Sequence, residues 1–271
     1  MEIAMRKSFV VLTAALATIS ICGRNASAQS PQASGQANQD RGTAVHSRDL
    51  SGVWLFDEKR YHVDPTLYLL PAKKVPPMTP WGQQKYDEAK PGTRGGTGDS
   101  DNDPTFHCDP PGLPRITNGR GGPFEIVAVP GRILILYEDF QARRQIWMDG
   151  RPLPSDPDPT WYGYSVGKWD GDTLVVDTIG FNDKTWLDGD GHPHSDAMRI
   201  EERYRRVSQD TLELTMKIDD PKAYTKPWLS TEPKIFKLRP KLELMELPCV
   251  PENEENFLKT VREPAAPKPT K

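Results

Sequence analysis

Residues 192–196 read His-Pro-His-Ser-Asp, the densest run of chemistry-bearing side chains in the chain. In an extended segment His192, His194 and Asp196 project to one side, a three-ligand set suited to zinc or another divalent ion. Imidazole also titrates close to neutral pH, so the same histidines suit metal-free proton transfer. The expectation is that His194 works as an acid or base without a metal, with the three-ligand ion site as the alternative. A solvated loop after Leu187-Asp-Gly-Asp-Gly191 would explain the run equally simply.

The second constellation follows at once. In an extended Arg199–Val207 segment, alternation puts Ile200, Glu202, Tyr204 and Arg206 on one face and Arg199, Glu201, Arg203 and Arg205 on the other. The uniformly charged face belongs in solvent, so Glu202 and Tyr204 point inward. A buried carboxylate needs a partner, usually an arginine. Arg144, in phase with Ile146 and Met148, is that partner. Two readings stay open for the group. It is an internal structural salt bridge, or it is a site in which Arg144 clamps an anion, Glu202 orients and Tyr204 relays a proton to His194. Tyr137, in phase with Ile133 and Ile135, also looks inward, as does Asp177 if it follows Thr173 and Val175. Trp161, Tyr162 and Tyr164 form an aromatic cluster that suits stacking on a sugar or aromatic ligand, or plugging a core.

Other motifs fail on their own terms. Asp99-Ser-Asp-Asn-Asp103 opens like a calcium loop, but its sixth position is Pro104 and its twelfth Pro110, where glycine and glutamate are needed. Gly92 to Gly98 lacks the Gly-Lys-Ser/Thr ending of a phosphate loop. There is no Gly-x-Ser-x-Gly elbow and no His-Glu-x-x-His. No cofactor is expected.

Strands must carry these residues. Short runs with turn signals between them mark Gly52–Phe56, Phe124–Val129, Arg132–Glu138, Ala142–Met148, Tyr162–Trp169, Thr173–Thr178, Arg199–Val207, Leu212–Ile218 and Lys234–Leu238. Asp170-Gly-Asp172 and Ser208-Gln-Asp210 are hairpin turns. One helix is expected, with Thr79 as cap, Pro80 first and Ala89 near its end. Residues 91–123, rich in Gly, Pro and Asp, read as a long irregular segment of the kind that forms lids. The 27 prolines in 271 residues exclude a mainly helical chain. A net charge of −3 argues against nucleic-acid binding, and no apolar stretch is long enough to span a membrane. The expected partner is a small-molecule ligand or substrate, and the oligomeric state is open.

Arg6-Lys7, the apolar run Ser8 to Ile21 and Ala26-Ser-Ala28 predict a signal peptide over 1–28 and export to the periplasm or beyond. A flexible leader (29–48), one barrel domain (49–262) and a disordered tail (263–271) complete the organisation. Cys108 and Cys249 remain after cleavage, and in an oxidising compartment they are expected to pair, the alternative being two free thiols.

Gly52-Val-Trp54 resembles the Gly-x-Trp opening of lipocalin-type barrels. Over residues 49–256 the chain resembles a large family of exported bacterial β-barrel proteins. The motifs that carry the likeness are Cys108-x-Pro-x-Gly-x-Pro-Arg115, Asp149-Gly-Arg151, Gly167-Lys-Trp-Asp-Gly-Asp-Thr-Leu-Val-Val-Asp-Thr178, Gly191-His-Pro-His-Ser-Asp196, Glu202-Arg-Tyr-Arg-Arg206 and Asp220-Pro-x-x-Tyr-x-x-Pro-Trp228. The resemblance implies export, a barrel and a shared site, and it brings no reaction with it. The expected fold is all-β, an antiparallel meander closed into a lipocalin-like barrel with one short helix and long proline-rich loops. The expected function is metal-independent acid/base chemistry, of lyase or isomerase type, on a small polar or carbohydrate-like substrate. The alternative is a non-catalytic carrier of a small ligand.

Overall fold

A computed structural model of the chain describes residues 48–57, 75–89, 103–117, 122–230 and 232–250. The predicted signal peptide, nearly all of the leader, the tail and residues 91–102 lie outside the described residues. Ten strands follow one another: β1 (Gly52–Phe56), β2 (Phe124–Val129), β3 (Arg132–Tyr137), β4 (Arg143–Trp147), β5 (Tyr164–Asp170), β6 (Thr173–Ile179), β7 (Arg199–Ser208), β8 (Thr211–Asp219), β9 (Trp228–Leu229) and β10 (Lys234–Leu238). Neighbours in sequence pair from β1 to β8, and β10 pairs with both β1 and β8. That second pairing closes a nine-stranded barrel, in which every barrel strand is paired on both sides. The short β9, which sequence patterning did not reveal, lies on the far end of β8 through Ile218↔Trp228.

One pairing departs from an antiparallel meander. β4 and β5 run parallel, with Ile146 opposite Ser165 and Trp147 opposite Val166. A ring with an odd number of strands cannot alternate direction all the way round, so one neighbouring pair must be parallel. Parallel neighbours need a crossover rather than a tight turn. The connection between them supplies it, stiffened by Pro152, Pro154, Pro157 and Pro159.

Alternation fills the barrel. Trp54, Phe56, Phe124, Ile126, Ile133, Ile135, Ile146, Leu174, Val176, Ile200, Leu212, Leu214, Met216 and Phe236 belong to one buried cluster. Where β5 passes close to β4, Gly167 is required: a Cβ there would lie 2.5 Å from Met148 Sδ and 2.8 Å from Ile146 Cγ2. Trp54 is fully buried and donates its indole N–H to the Leu50 carbonyl at 2.9 Å. The Arg206 guanidinium lies 5.3 Å from that ring and donates to the carbonyls of Asp49 and Gln209.

The helix α1 (Pro80–Ala89) begins as its sequence predicts, with the Gly82 amide donating to Thr79 Oγ1 at 3.1 Å. The part of the 91–123 stretch that is described is irregular apart from two short turns, and it packs into the core. Residues 103–117 form short 3₁₀ turns at Pro104–His107 and Arg115–Thr117 and bury Leu113 and Ile116 in the core. Asp103 holds Arg115 through two hydrogen bonds of 2.7 and 2.5 Å. Cys108 and Cys249 form a disulfide, tying this segment to the far end of the chain. A peptide map made without reductant should therefore contain a linked Cys108–Cys249 peptide. Two alkylatable thiols in the purified protein would contradict it. Among the described residues no helix is long and apolar enough to cross a membrane.

Candidate functional site

Two separate polar groups emerge from the residues singled out by sequence. The first lies inside the barrel. β7 turns Glu202 and Tyr204 inward, β4 adds Arg144, β5 Ser165 and β6 Thr178; Arg144, Glu202 and Tyr204 are 3%, 0% and 2% exposed. Arg144 grips both oxygens of Glu202, with Nη1 2.9 Å from Oε1 and Nη2 on Oε2. Its remaining donors reach Ser165 Oγ (3.2 and 3.0 Å) and Thr178 Oγ1 (2.8 Å). The Tyr204 hydroxyl donates to Glu202 Oε1 at 2.8 Å. Burial works against the Arg144 charge, but Glu202 and the neighbouring phenols outweigh it and hold the guanidinium pKa above its ordinary value. Burial pushes the Tyr137 and Tyr204 phenols up, and Glu202 adds to both. Lys234 also points inward from β10, and burial draws its pKa down to about 7 against the pull of Glu202. The donors of Arg144 are used up within the group. This is a satisfied polar core, with no face turned to solvent.

His194 belongs to a different group, on the loop between β6 and β7. That loop folds back on itself through the Trp186–Pro193 bridge and the Leu187 amide, which donates to the His192 carbonyl at 2.8 Å. Asp220 anchors its far side, accepting from the Ser195 amide and hydroxyl at 2.6 and 2.7 Å. The Tyr224 hydroxyl holds the Pro193 carbonyl at 2.8 Å. Between these anchors the His194 ring has two neighbours. Nδ1 lies 3.2 Å from the Ser195 carbonyl and Nε2 lies 2.6 Å from Thr185 Oγ1. A carbonyl can only accept, so Nδ1 carries the proton, Nε2 is the acceptor and the Thr185 hydroxyl donates to it.

The ring is only 2% exposed, yet it stands in the wall of an open cleft of about 490 Å³. α1 supplies Trp81, Lys85, Glu88 and Ala89 to the cleft, the loop supplies Asp183, Thr185, Trp186 and Pro193, and His107 completes it. Burial lowers the His194 pKa, with Ser195, Asp220 and Asp183 pulling weakly the other way. The imidazole is therefore neutral near pH 7, as a general base requires. This has a consequence for stability. The unfolded chain takes up a proton below its ordinary pKa of 6.5, and the folded imidazole does not. Stability should fall as pH drops below 6.5 and level off beneath the folded pKa. His194→Gln should flatten that slope in denaturant titrations across this range; an unchanged slope would mean that His194 titrates normally.

Several sequence expectations need correction. His192, His194 and Asp196 do not converge. His192 Nδ1 pairs with Asp188 Oδ2 at 2.6 Å, its ring stacked on Tyr86; His194 faces Thr185; exposed Asp196 meets Lys222 at 3.3 Å. Asp196 leaves the set because the chain turns after Ser195, whose carbonyl accepts from the Met198 amide. Among the described residues, the side chains near enough together to hold an ion are Asp188, Asp190 and His192. There Asp188 already accepts from His192 Nδ1 and from the amides of Asp190 and His192.

Asp177 points outward and pairs with Arg199 at 2.9 Å, because β6 turns Leu174, Val176 and Thr178 inward. Tyr164 is also on the outer face, accepting from Arg151, whose guanidinium stacks 3.5 Å from the Trp147 ring centroid. Tyr162 packs on the core with its hydroxyl buried and, among the described residues, unpartnered, and burial raises its pKa. Tyr137 lies beside the Arg144 group, and Trp161 lines a second cleft beyond Asp183. Sequence reasoning missed Thr185 and Asp183, and the part played by α1 as a cleft wall. The cap at Thr79 gave the helix but nothing about what it would face.

No family model, no curated protein and no solved structure matches this chain.

Proposed function

We propose that the protein is an exported enzyme of metal-independent acid/base chemistry, of lyase or isomerase type. It would act on a polar, carbohydrate-like substrate in the cleft between α1 and the β6–β7 loop. One observation carries the reading: a buried imidazole stands in the wall of an open cleft, with Nε2 2.6 Å from the Thr185 hydroxyl oxygen and Nδ1 3.2 Å from the Ser195 carbonyl. Substrate entering the cleft would exchange for the Thr185 hydroxyl or use it as a relay. His194 Nε2 would take the proton and return it later in the cycle. Trp81 and Trp186 offer apolar faces, and Lys85, Glu88 and Asp183 offer donors and acceptors for hydroxyl groups.

The Arg144–Glu202–Tyr204 group has another role in this account. It fixes β4, β5, β6 and β7 to one another beneath the loop that carries His194. A carrier would hold its ligand in the lumen, but the inward side chains there pack against one another, so the cleft is the better-supported site. Export rests on the Arg6-Lys7 and Ala26-Ser-Ala28 signals and agrees with the disulfide.

The reading is tested by screening turnover on hydroxylated substrates before and after dialysis against a strong chelator. Activity should survive unchanged. Loss on chelation, restored by a divalent ion, would move the chemistry to a metal.

A further inference from the structure

A second cleft, of about 620 Å³, adjoins the one beside His194. It is lined by Pro159, Thr160, Trp161, Phe181, Asn182, Asp183, Lys184 and Asp196. Its walls are not independent of the first cleft. The Thr160 amide donates to the Gly180 carbonyl and the Asn182 amide to the Thr160 carbonyl, both at 2.9 Å, which rivets the Trp161 segment to the loop that presents Thr185. The Phe181 ring, in this second wall, makes edge contact with the His194 ring at 6.3 Å.

Asp183 borders both clefts. It is exposed, and among the described residues its carboxylate has no hydrogen-bond or ion-pair partner. Its charge is nevertheless felt at Lys85 and at His194 in the first cleft. On one side of this carboxylate stand Trp81 and Trp186, on the other Trp161 with the Lys184 ammonium 6.0 Å from its ring. Indole faces set among short polar groups fit a ligand that presents an apolar ring face and a hydroxyl rim. A ligand confined to one cleft would leave the other half of this arrangement unused.

We propose that the two clefts are consecutive subsites for an oligosaccharide. One sugar lies beside His194 and Thr185, the next stacks on Trp161, and Asp183 accepts hydroxyl hydrogen bonds at the junction. This rests on the reading of the His194 cleft as the reacting site, and it replaces a single small substrate by an oligomer.

The test is calorimetric titration of the whole protein with cello-, xylo- and chito-oligosaccharides of increasing length, from one unit upward. Affinity should rise roughly tenfold between one unit and two or three for one of these series. Trp161→Ala should erase that rise and leave single-unit binding unchanged. Asp183→Ala, at an exposed position with no structural bond to lose, should weaken every member that binds. Affinity independent of length, equal loss for monomer and oligomer in Trp161→Ala, or no binding in any of the three series would each overturn the proposal. The two readings separate cleanly. Length-dependent binding without turnover keeps the subsites and defeats the acid/base reading. Turnover of a single unit, with affinity that does not rise with chain length, does the reverse.

Discussion

Replacing Glu202 by alanine should destabilise the protein by about 3–5 kcal/mol, the usual cost of removing one partner from a buried ion pair. The reason lies in what is left behind. Arg144 cannot shed its proton, and Ser165 and Thr178 bring it hydroxyl oxygens but no negative charge. The Tyr204 hydroxyl would lose its acceptor at the same time. Glu202→Gln keeps the shape and one acceptor oxygen, so its cost should be smaller, about 1–3 kcal/mol. The pair Arg144→Met with Glu202→Leu removes both charges and should recover most of the loss, since buried pairs are often replaceable by packed apolar groups. Urea unfolding of the four proteins measures this directly. Single variants within about 0.5 kcal/mol of the parent would mean that the group is not closed as described.

His194→Gln should act on the other axis. Loss of a positioned acid/base residue typically removes a factor of about 10²–10⁴ in turnover. Burial of the ring and its bond to Thr185 mean that stability will fall as well. A loss of about 1–3 kcal/mol is expected where the Thr185 hydroxyl loses its acceptor, as in His194→Ala, and less in the glutamine variant. Turnover assays with thermal melts of the same samples separate the two effects. A variant with normal turnover would remove His194 from the chemistry.

The contrast between the two groups also marks what sequence could reveal. The period of two is strict where one face of a strand is polar, and Ile200, Glu202 and Tyr204 alternate with charged neighbours, so their inward direction was legible. Arg144 followed from Ile146 in the same way. The disulfide was legible because removal of the expected signal peptide would leave two cysteines, Cys108 and Cys249. β6 gave no such guidance. Leu174, Val175 and Val176 are all buried, so its apolar run has no alternation, and Asp177 was assigned to the wrong face. The parallel β4–β5 pair stayed hidden because it depends on how many strands close the ring, a global property. The loop around His194 was hidden for a third reason. Its shape is set by Asp220 and Tyr224, reached from another part of the chain, and by a helix far upstream.

The most direct test of the central claim, that His194 is a neutral base of fixed tautomer facing the cleft, is a nitrogen-15 NMR titration of its imidazole. Its ring resonances, assigned by comparison with His194→Gln, should show a proton on Nδ1 and an unprotonated Nε2 at pH 7, with a pKa below 6.5. A proton on Nε2, or a pKa above 6.5, would contradict the account, because the lone pair that the chemistry requires would not be available.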